Sequence, residues 1–316
     1  MLNILFMGTP DFAKESLEAL YNAGYNIIGV VTNPDKPKGR GMKMVASPVK
    51  EFALEKGLKV YQPLRIRNNQ EFIDEIKKLD PDVICVVAYG KILPKEILDI
   101  PKKGCINVHG SLLPEYRGAA PIQWAVLSGD KETGVTTMYM DIGMDTGDMI
   151  LKEKVTIGDD ETTGELWDRL STIGGKLLVK TLVQIEDGIA PREKQGDNFT
   201  TAPMLNKEMA KIDWENKTAQ EIKNLVRGLN PIMGAYTFLN GKKIKFWKVD
   251  IAKNIEYNSE NIKNGTVLIS NPKEGLFIKT KEGILKIIEI QGENAKRMNV
   301  GDFLRGTPIN EFEVFE

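Results

Sequence analysis

Met1-Leu2-Asn3-Ile4-Leu5-Phe6-Met7-Gly8-Thr9-Pro10-Asp11-Phe12 opens the chain with an apolar run that meets an acidic residue at position 11. No basic leader precedes the run, so it reads as a first buried strand rather than an export signal. The turn after that strand is where a dinucleotide-binding protein places three spaced glycines, for close approach to a pyrophosphate. Gly8 is the one glycine present there, and no Walker A sequence occurs in the chain, which argues against NAD- and ATP-dependent chemistry.

Working outward, the first half alternates apolar strand-like runs with helical spacing. Strands are expected at 3–7, 27–32, 58–61, 83–88, 105–108, 134–140 and 149–157, and helices at 11–23, 47–56, 70–79 and 163–185. Ser47-Pro48 supplies a cap and a first-turn proline, and Thr162 with Glu165 forms a possible capping box. This rhythm predicts an α/β fold with a doubly wound, mostly parallel, Rossmann-like sheet. The stretch 187–205 is polar and aperiodic, contains Pro191 and Pro203, and reads as a linker. Beyond it a helix at 218–228 precedes short strands at 235–239, 243–251, 265–269, 276–279 and 284–291, with Asn-Gly turns at 240–241 and 264–265. That pattern predicts a small C-terminal β-barrel of OB-like type. The expected division is a catalytic domain at 1–189, a linker at 190–205 and a barrel at 206–316.

With 316 residues, 41% hydrophobic and 28% charged, the composition is that of an ordinary soluble chain long enough for about two domains. No apolar run is long enough to span a bilayer. Cys85 and Cys105 both lie in apolar strand-like segments, as buried free thiols of a cytoplasmic protein would. One histidine and two cysteines make a histidine/cysteine zinc site improbable, and no metal is expected. Residues 205–316 hold 18 Lys and Arg against 15 Asp and Glu, a slight basic excess within a net charge of −1. Such an excess permits a polyanionic partner and is equally the mark of a solvated surface.

The chemistry centres on His109, the chain's single histidine, in Asn107-Val108-His109-Gly110-Ser111-Leu112-Leu113-Pro114. Histidine gains and loses a proton near neutral pH, the property a general acid–base needs. Side chains alternate along a strand, so Asn107 and His109 project from the same face at a strand-to-loop junction. Asp141-Ile142-Gly143-Met144-Asp145-Thr146-Gly147-Asp148 is a tight acidic loop, readable as a solvated turn or as part of a site. A carboxylate from it could orient the imidazole. Amide, imidazole and carboxylate together suit acyl transfer to an amine, in which an oxyanion develops and two protons move. Structural roles for a lone histidine and a solvated turn stand as the alternatives.

These residues resemble the folate-dependent formyltransferases. The family's N-x-H, S-L-L-P-x-Y-R-G-A-x-P, T-G-V-T and D-x-G-x-D-T-G-D are readable at Asn107/His109, 111–121, 133–136 and 141–148, and the likeness runs through nearly the whole chain. The resemblance implies that Asn107 stabilises the oxyanion, that His109 is the acid–base group and that Asp145 orients it. It implies 10-formyltetrahydrofolate as donor, with Ser111, Leu112, Leu113 and Pro114 in its binding loop and Tyr89, Gly90 and Ile92 around the pterin. The motif specifies chemistry better than acceptor. The segment from Lys36 to Lys50 carries five basic residues, no acidic one, and prolines and glycines that prevent a regular helix. It reads as an exposed basic loop, solvated or able to contact phosphates. It also resembles the loop that engages initiator tRNA in members acting on methionyl-tRNA, which implies Lys36, Lys38, Arg40 and Lys43 as tRNA contacts and the barrel as a second grip. No membrane or obligate protein partner is implied. The rivals are a formyltransferase acting on an amino-sugar nucleotide and a non-catalytic RNA-binding protein.

Overall fold

The computed structural model describes residues 1–38, 42–253, 255 and 262–316. Its chain divides into two units, one formed by Met1–Pro121, Glu132–Thr156 and Trp167–Pro203, the other by Ile122–Lys131, Ile157–Leu166 and Met204–Glu316. The expected contiguous division is thus crossed twice, by short pieces of the first half that fold with the C-terminal residues. Hydrogen bonds inside the second unit account for this. Thr163 Oγ1 donates to the Gly228 carbonyl at 2.8 Å, and Arg227 donates to the carbonyls of Gly158 and Glu161 at 3.1 and 3.3 Å. Most of the expected linker, up to Pro203, belongs to the first unit.

The first unit is built on seven strands: β1 (Asn3–Gly8), β2 (Asn26–Val31), β3 (Val60–Tyr61), β4 (Val83–Val87), β5 (Cys105–His109), β6 (Glu132–Tyr139) and β7 (Met149–Thr156). Their order is β7-β6-β5-β4-β1-β2-β3. Neighbours from β5 through β3 pair in parallel, whereas β6 runs antiparallel to β5 and β7 antiparallel to β6. Central strands buried on both faces read as continuous apolar runs, as Val83-Ile84-Cys85-Val86-Val87 does with every residue buried. One face packs Leu5, Met7, Ile84 and Val86 against Phe72, Ile73 and Ile76 of the helix Gln70–Leu79.

Gly8 has a packing reason for being a glycine. A Cβ there would stand 2.6 Å from the Ala13 Cβ and 2.9 Å from the Val87 carbonyl oxygen, so the helix Asp11–Asn22 and β4 close in where a side chain would sit. Strand order reverses between β1 and β4, the switch point at which open α/β sheets leave a crevice at their carboxyl ends. Asn33 spans that junction, donating to Thr9 Oγ1 at 3.0 Å and to the Tyr89 carbonyl at 2.8 Å.

The second unit carries β8 (Ala235–Leu239), β9 (Lys242–Ile251), β10 (Val267–Asn271), β11 (Gly275–Lys279) and β12 (Ile284–Gln291), all antiparallel, in the order β8-β9-β12-β11-β10. Asn240 and Gly241, with φ of 50° and 72°, make the tight turn between β8 and β9. Both outer strands are covered by the end of the chain. Phe315 N–H donates to the Gly265 carbonyl and Val267 N–H to that of Glu313 on the β10 side, while Glu316 and Phe238 of β8 exchange hydrogen bonds at 2.9 and 3.2 Å. The antiparallel sheet is therefore closed by residues 313–316, as a barrel requires. Its interior includes Trp214, Ile222, Val226, Phe246, Ile287 and Phe315.

The helix Ala219–Gly228 starts at a capping box in which Thr218 Oγ1 accepts from Glu221 N–H and the Glu221 carboxylate accepts from Thr218 N–H. Lys217 and the Thr218 N–H hold the Glu221 carboxyl down to about 2, well below the usual carboxylate range. Its folded-state pKa is depressed, so its contribution is complete above the unfolded value and is lost as pH falls towards 2. Replacing Thr218 by Ala should lower stability by about 1 kcal/mol in urea titrations at pH 7. A Glu221→Gln variant should match wild type more closely at pH 2 than at pH 7.

Candidate active site

Strand alternation places Asn107 and His109 on one face of β5, and the structure brings Asp145 to both. Asn107 Nδ2 lies 3.4 Å from Asp145 Oδ1, and His109 Nδ1 lies 3.7 Å from Asp145 Oδ2. The second distance is within ion-pair range but longer than a hydrogen bond. The other ring nitrogen, Nε2, meets the Tyr116 carbonyl at 2.9 Å. A carbonyl can only accept, so Nε2 carries the hydrogen and Nδ1 faces the carboxylate. His109 is 5% exposed, which removes most competing water. Beside the amide lies a small apolar floor of Leu113, Met138 and Met149, with Met138 paired to Asn107 across β5 and β6.

Asp145 does not arrive from the mouth of the sheet. Its loop leaves β6 where β5 begins, Met140 N–H donating to the Cys105 carbonyl, and doubles back along the face of β5. One close approach and one left-handed residue permit this course. Gly147 lies so near the Tyr139 carbonyl oxygen that a Cβ would collide with it, and Asp145 takes a left-handed φ of 55°. Tyr116 likewise has φ 59°. Non-glycine residues in this region persist only where their surroundings hold them.

Those surroundings are visible. Gly118 N–H donates to Asp145 Oδ2 at 2.9 Å. Thr136, opposite His109 on β6, accepts from Leu113 N–H at 3.0 Å and donates to the Ser111 carbonyl at 2.7 Å, pinning the loop after β5. Ser111 Oγ donates to the Glu115 carbonyl at 2.6 Å. Tyr116 N–H donates to Thr200 Oγ1, and residues 201–202 pair in parallel with 117–118. The stretch expected as a linker thus forms one wall of the site, a role its polar, aperiodic sequence does not advertise.

The remaining expected residues fall in different settings. Ser111 and Leu113 are buried in the structure of their own loop, and Leu112 and Pro114 are partly exposed. Tyr89 is 1% exposed within the core and its carbonyl is taken by Asn33, so its ring is a support beneath the crevice. Burial pushes its hydroxyl pKa up. Gly90 and Ile92 are exposed beside it. Lys36 and Lys43 stand exposed on a short hairpin in which Lys36–Lys38 pairs with Lys43–Val45. Gly39, Arg40 and Gly41 lie outside the described residues, as does the side chain of Lys38. The hairpin's base is anchored where Asp35 accepts from Lys50 Nζ at 2.7 Å and from Gln62 Nε2 at 2.8 Å. Burial raises both thiols, Cys105 to about 12, so neither is a nucleophile in the resting protein. Among the described residues no cluster of potential metal ligands occurs, and no helix is long and apolar enough to cross a membrane.

In the second unit, Tyr236 and Phe238 of β8 and Lys243, Lys245 and Trp247 of β9 occupy the positions that alternate with the buried ones. Lys243 Nζ sits 3.5 Å from the centre of the Tyr236 ring, and Arg297 lies 5.2 Å from that of Trp247. Interleaved cations and aromatic rings of this kind suit a nucleic-acid strand.

Residues 2–182 match the family described as formyl transferase, and residues 204–308 match the formyl transferase C-terminal domain. The chain is 52% identical over 309 residues to the methionyl-tRNA formyltransferase of Clostridioides difficile, covering 98% of each. It is 49% identical over 313 residues to that of Ruminiclostridium cellulolyticum, covering 99% of each. Among solved structures, an N-formyltransferase from Helicobacter canadensis, in complex with folinic acid and dTDP-3-aminofucose, matches with a TM-score of 0.65 at 21% identity over 94% of this chain and all of that one. HypX from Aquifex aeolicus, in complex with tetrahydrofolic acid, matches with a TM-score of 0.63 at 16% identity, and this chain spans 50% of its length. These structural matches speak to fold alone.

Because the Asp145 loop has no room for a side chain at 147, Gly147→Ala should force it away from β5. The expected cost is about 1–3 kcal/mol in chemical unfolding. A variant as stable as wild type would mean that the loop relaxes freely.

Proposed function

The chain belongs to the formyl transferase family, and on that premise we propose that it moves the formyl group of 10-formyltetrahydrofolate onto the α-amine of initiator methionyl-tRNA in the cytoplasm. The observation that carries this reading is the convergence of Asn107, His109 and Asp145 in a chain about half identical, end to end, to methionyl-tRNA formyltransferases.

The amine nitrogen attacks the formyl carbon, a C–N bond forms and the carbonyl oxygen becomes an oxyanion. Asn107 Nδ2, held on the open face of β5, is the donor for that oxygen. The amine must lose a proton and the departing folate nitrogen must gain one before its bond to the formyl carbon breaks. His109 serves as the acid–base group for this exchange. Asp145, on the opposite side of the ring from the Tyr116 carbonyl, keeps the imidazole in register with that carbonyl. No serine or cysteine nucleophile is needed, because the acyl group passes directly from donor to acceptor.

For the folate we assign the loop 111–114, with Leu112 and Pro114 offering side-chain surface, together with Gly90 and Ile92 across the crevice. Tyr89 underpins that surface from the core. For the tRNA we assign Lys36, Lys38, Arg40 and Lys43 of the basic segment, and the cation–aromatic face around Tyr236, Lys243, Trp247 and Arg297. In domain terms, residues 1–189 apart from 122–131 and 157–166, with the stretch that follows them to Pro203, form the catalytic part, and 206–316 with those two pieces the RNA-holding part. The rival acceptor, an amino-sugar nucleotide, would call for no such basic hairpin.

The deciding assay offers both acceptors, charged initiator tRNA and an amino-sugar nucleotide, to the purified chain with the folate donor. Turnover on the tRNA alone is expected, and turnover on the sugar alone would overturn the acceptor assignment. His109→Ala should lower turnover by about 10²–10⁴-fold with the fold unchanged by circular dichroism. Arg40→Ala should weaken tRNA binding and reduce the slope of log affinity against log salt by about 1. A slope identical to wild type would remove Arg40 from the interface.

A further inference from the structure

Gln195 is the one residue between 191 and 201 that is not exposed. Its side-chain amide is fully employed. Nε2 donates to two main-chain carbonyls, those of Asp145 and Gly147, both at 2.8 Å. Oε1 accepts from Arg117 Nε at 2.8 Å. The Arg117 guanidinium in turn lies 4.4 Å from the centre of the Phe199 ring, four residues beyond Gln195. One of the two carbonyls is that of the left-handed Asp145 itself and the other is that of Gly147 two residues on, and Arg117 precedes Gly118, whose N–H holds the Asp145 carboxylate. Gln195, Asp145, Gly118 and Arg117 therefore form a closed ring of contacts around the carboxylate that faces His109.

We propose that Gln195 is a positioning residue of the active site, which holds the backbone of the Asp145 loop so that its carboxylate meets His109 and Asn107, with Arg117 fixing the amide's orientation. The proposal rests on the reading of Asp145 and His109 as the working pair. Glutamine suits the position because two carbonyls require two donors and a guanidinium requires an acceptor, and a primary amide supplies both from one planar group. Glutamate has the same shape and could still accept from Arg117, but it would turn a carboxylate oxygen, with no hydrogen to give, towards two carbonyl oxygens. Gln195→Glu is therefore a sharper probe than truncation.

The test uses the full chain and two readouts. Steady-state kinetics of Gln195→Glu and Gln195→Ala should show kcat reduced at least tenfold, with KM for donor and acceptor within about twofold of wild type. His109 is the chain's single histidine, so its ring Cε1–H resonance is assigned without ambiguity. At one fixed pH that resonance should move in both variants towards its position in Asp145→Asn. An Arg117→Ala, Gln195→Ala double variant should lose no more kcat than the worse single variant, as expected of residues acting as a unit. Wild-type kcat in Gln195→Glu, or an unmoved imidazole resonance in either variant, would overturn the proposal. A wild-type chain inactive on every acceptor would overturn the proposed function instead, while the imidazole resonance would still decide the role of Gln195.

Discussion

The carboxylate of Asp145 is contacted by three groups, the Gly118 N–H at 2.9 Å and, from one face of β5, the Asn107 amide at 3.4 Å and the His109 ring at 3.7 Å. None of these groups is near Asp145 in sequence, and Asp145 itself sits in a backbone conformation unfavourable for a residue with a Cβ. The arrangement therefore exists only if the loop is held from outside, and much of the surrounding architecture does that. The antiparallel turn from β6 to β7 delivers the loop, Thr136 pins the neighbouring loop, and the stretch ending at Pro203 lies against both. A parallel sheet alone would place His109 at a strand end, as many folds do. The antiparallel β6 is what supplies a carboxylate over the strand's face.

Much of this was legible in the chain because it follows from short periods. Alternation puts Asn107 and His109 on one face whatever the fold, and continuous apolar runs mark strands covered on both sides. The helix 70–79 and the strands 235–239 and 284–291 have the expected bounds, since strong periodicity and turn residues frame them. The glycine that ends β1 has a packing reason of its own, since Ala13 and the Val87 carbonyl close in where its side chain would be.

The rest depends on tertiary contacts that leave no local trace. Residues 190–203 are polar and proline-bearing because they lie on a surface, yet Gln195, Phe199 and Thr200 each meet a specific partner. Tyr89 stands in a motif beside exposed residues, but its strand-end geometry turns the ring into the core. The basic segment was expected as an irregular loop, and prolines and glycines do prevent a helix, but they leave room for the short hairpin of Lys36–Lys38 with Lys43–Val45. The discontinuous makeup of the second unit was invisible for the same reason. Nothing in 122–131 or 157–166 tells which later residues they will meet.

That discontinuity, taken with the closure of the antiparallel sheet by residues 313–316, bears on how the protein is made. On a ribosome, the first unit has all seven strands of its main sheet once β7 has emerged, and folding of amino-terminal parts during synthesis is the general rule. The second unit must instead keep 122–131 and 157–166 waiting while more than a hundred further residues are translated. Both outer strands of its sheet stay open to foreign pairing until residues 313–316 have been made. Exposure of the second unit to aggregation thus outlasts that of the first by a long stretch of synthesis, a process that the proposed substrate itself begins.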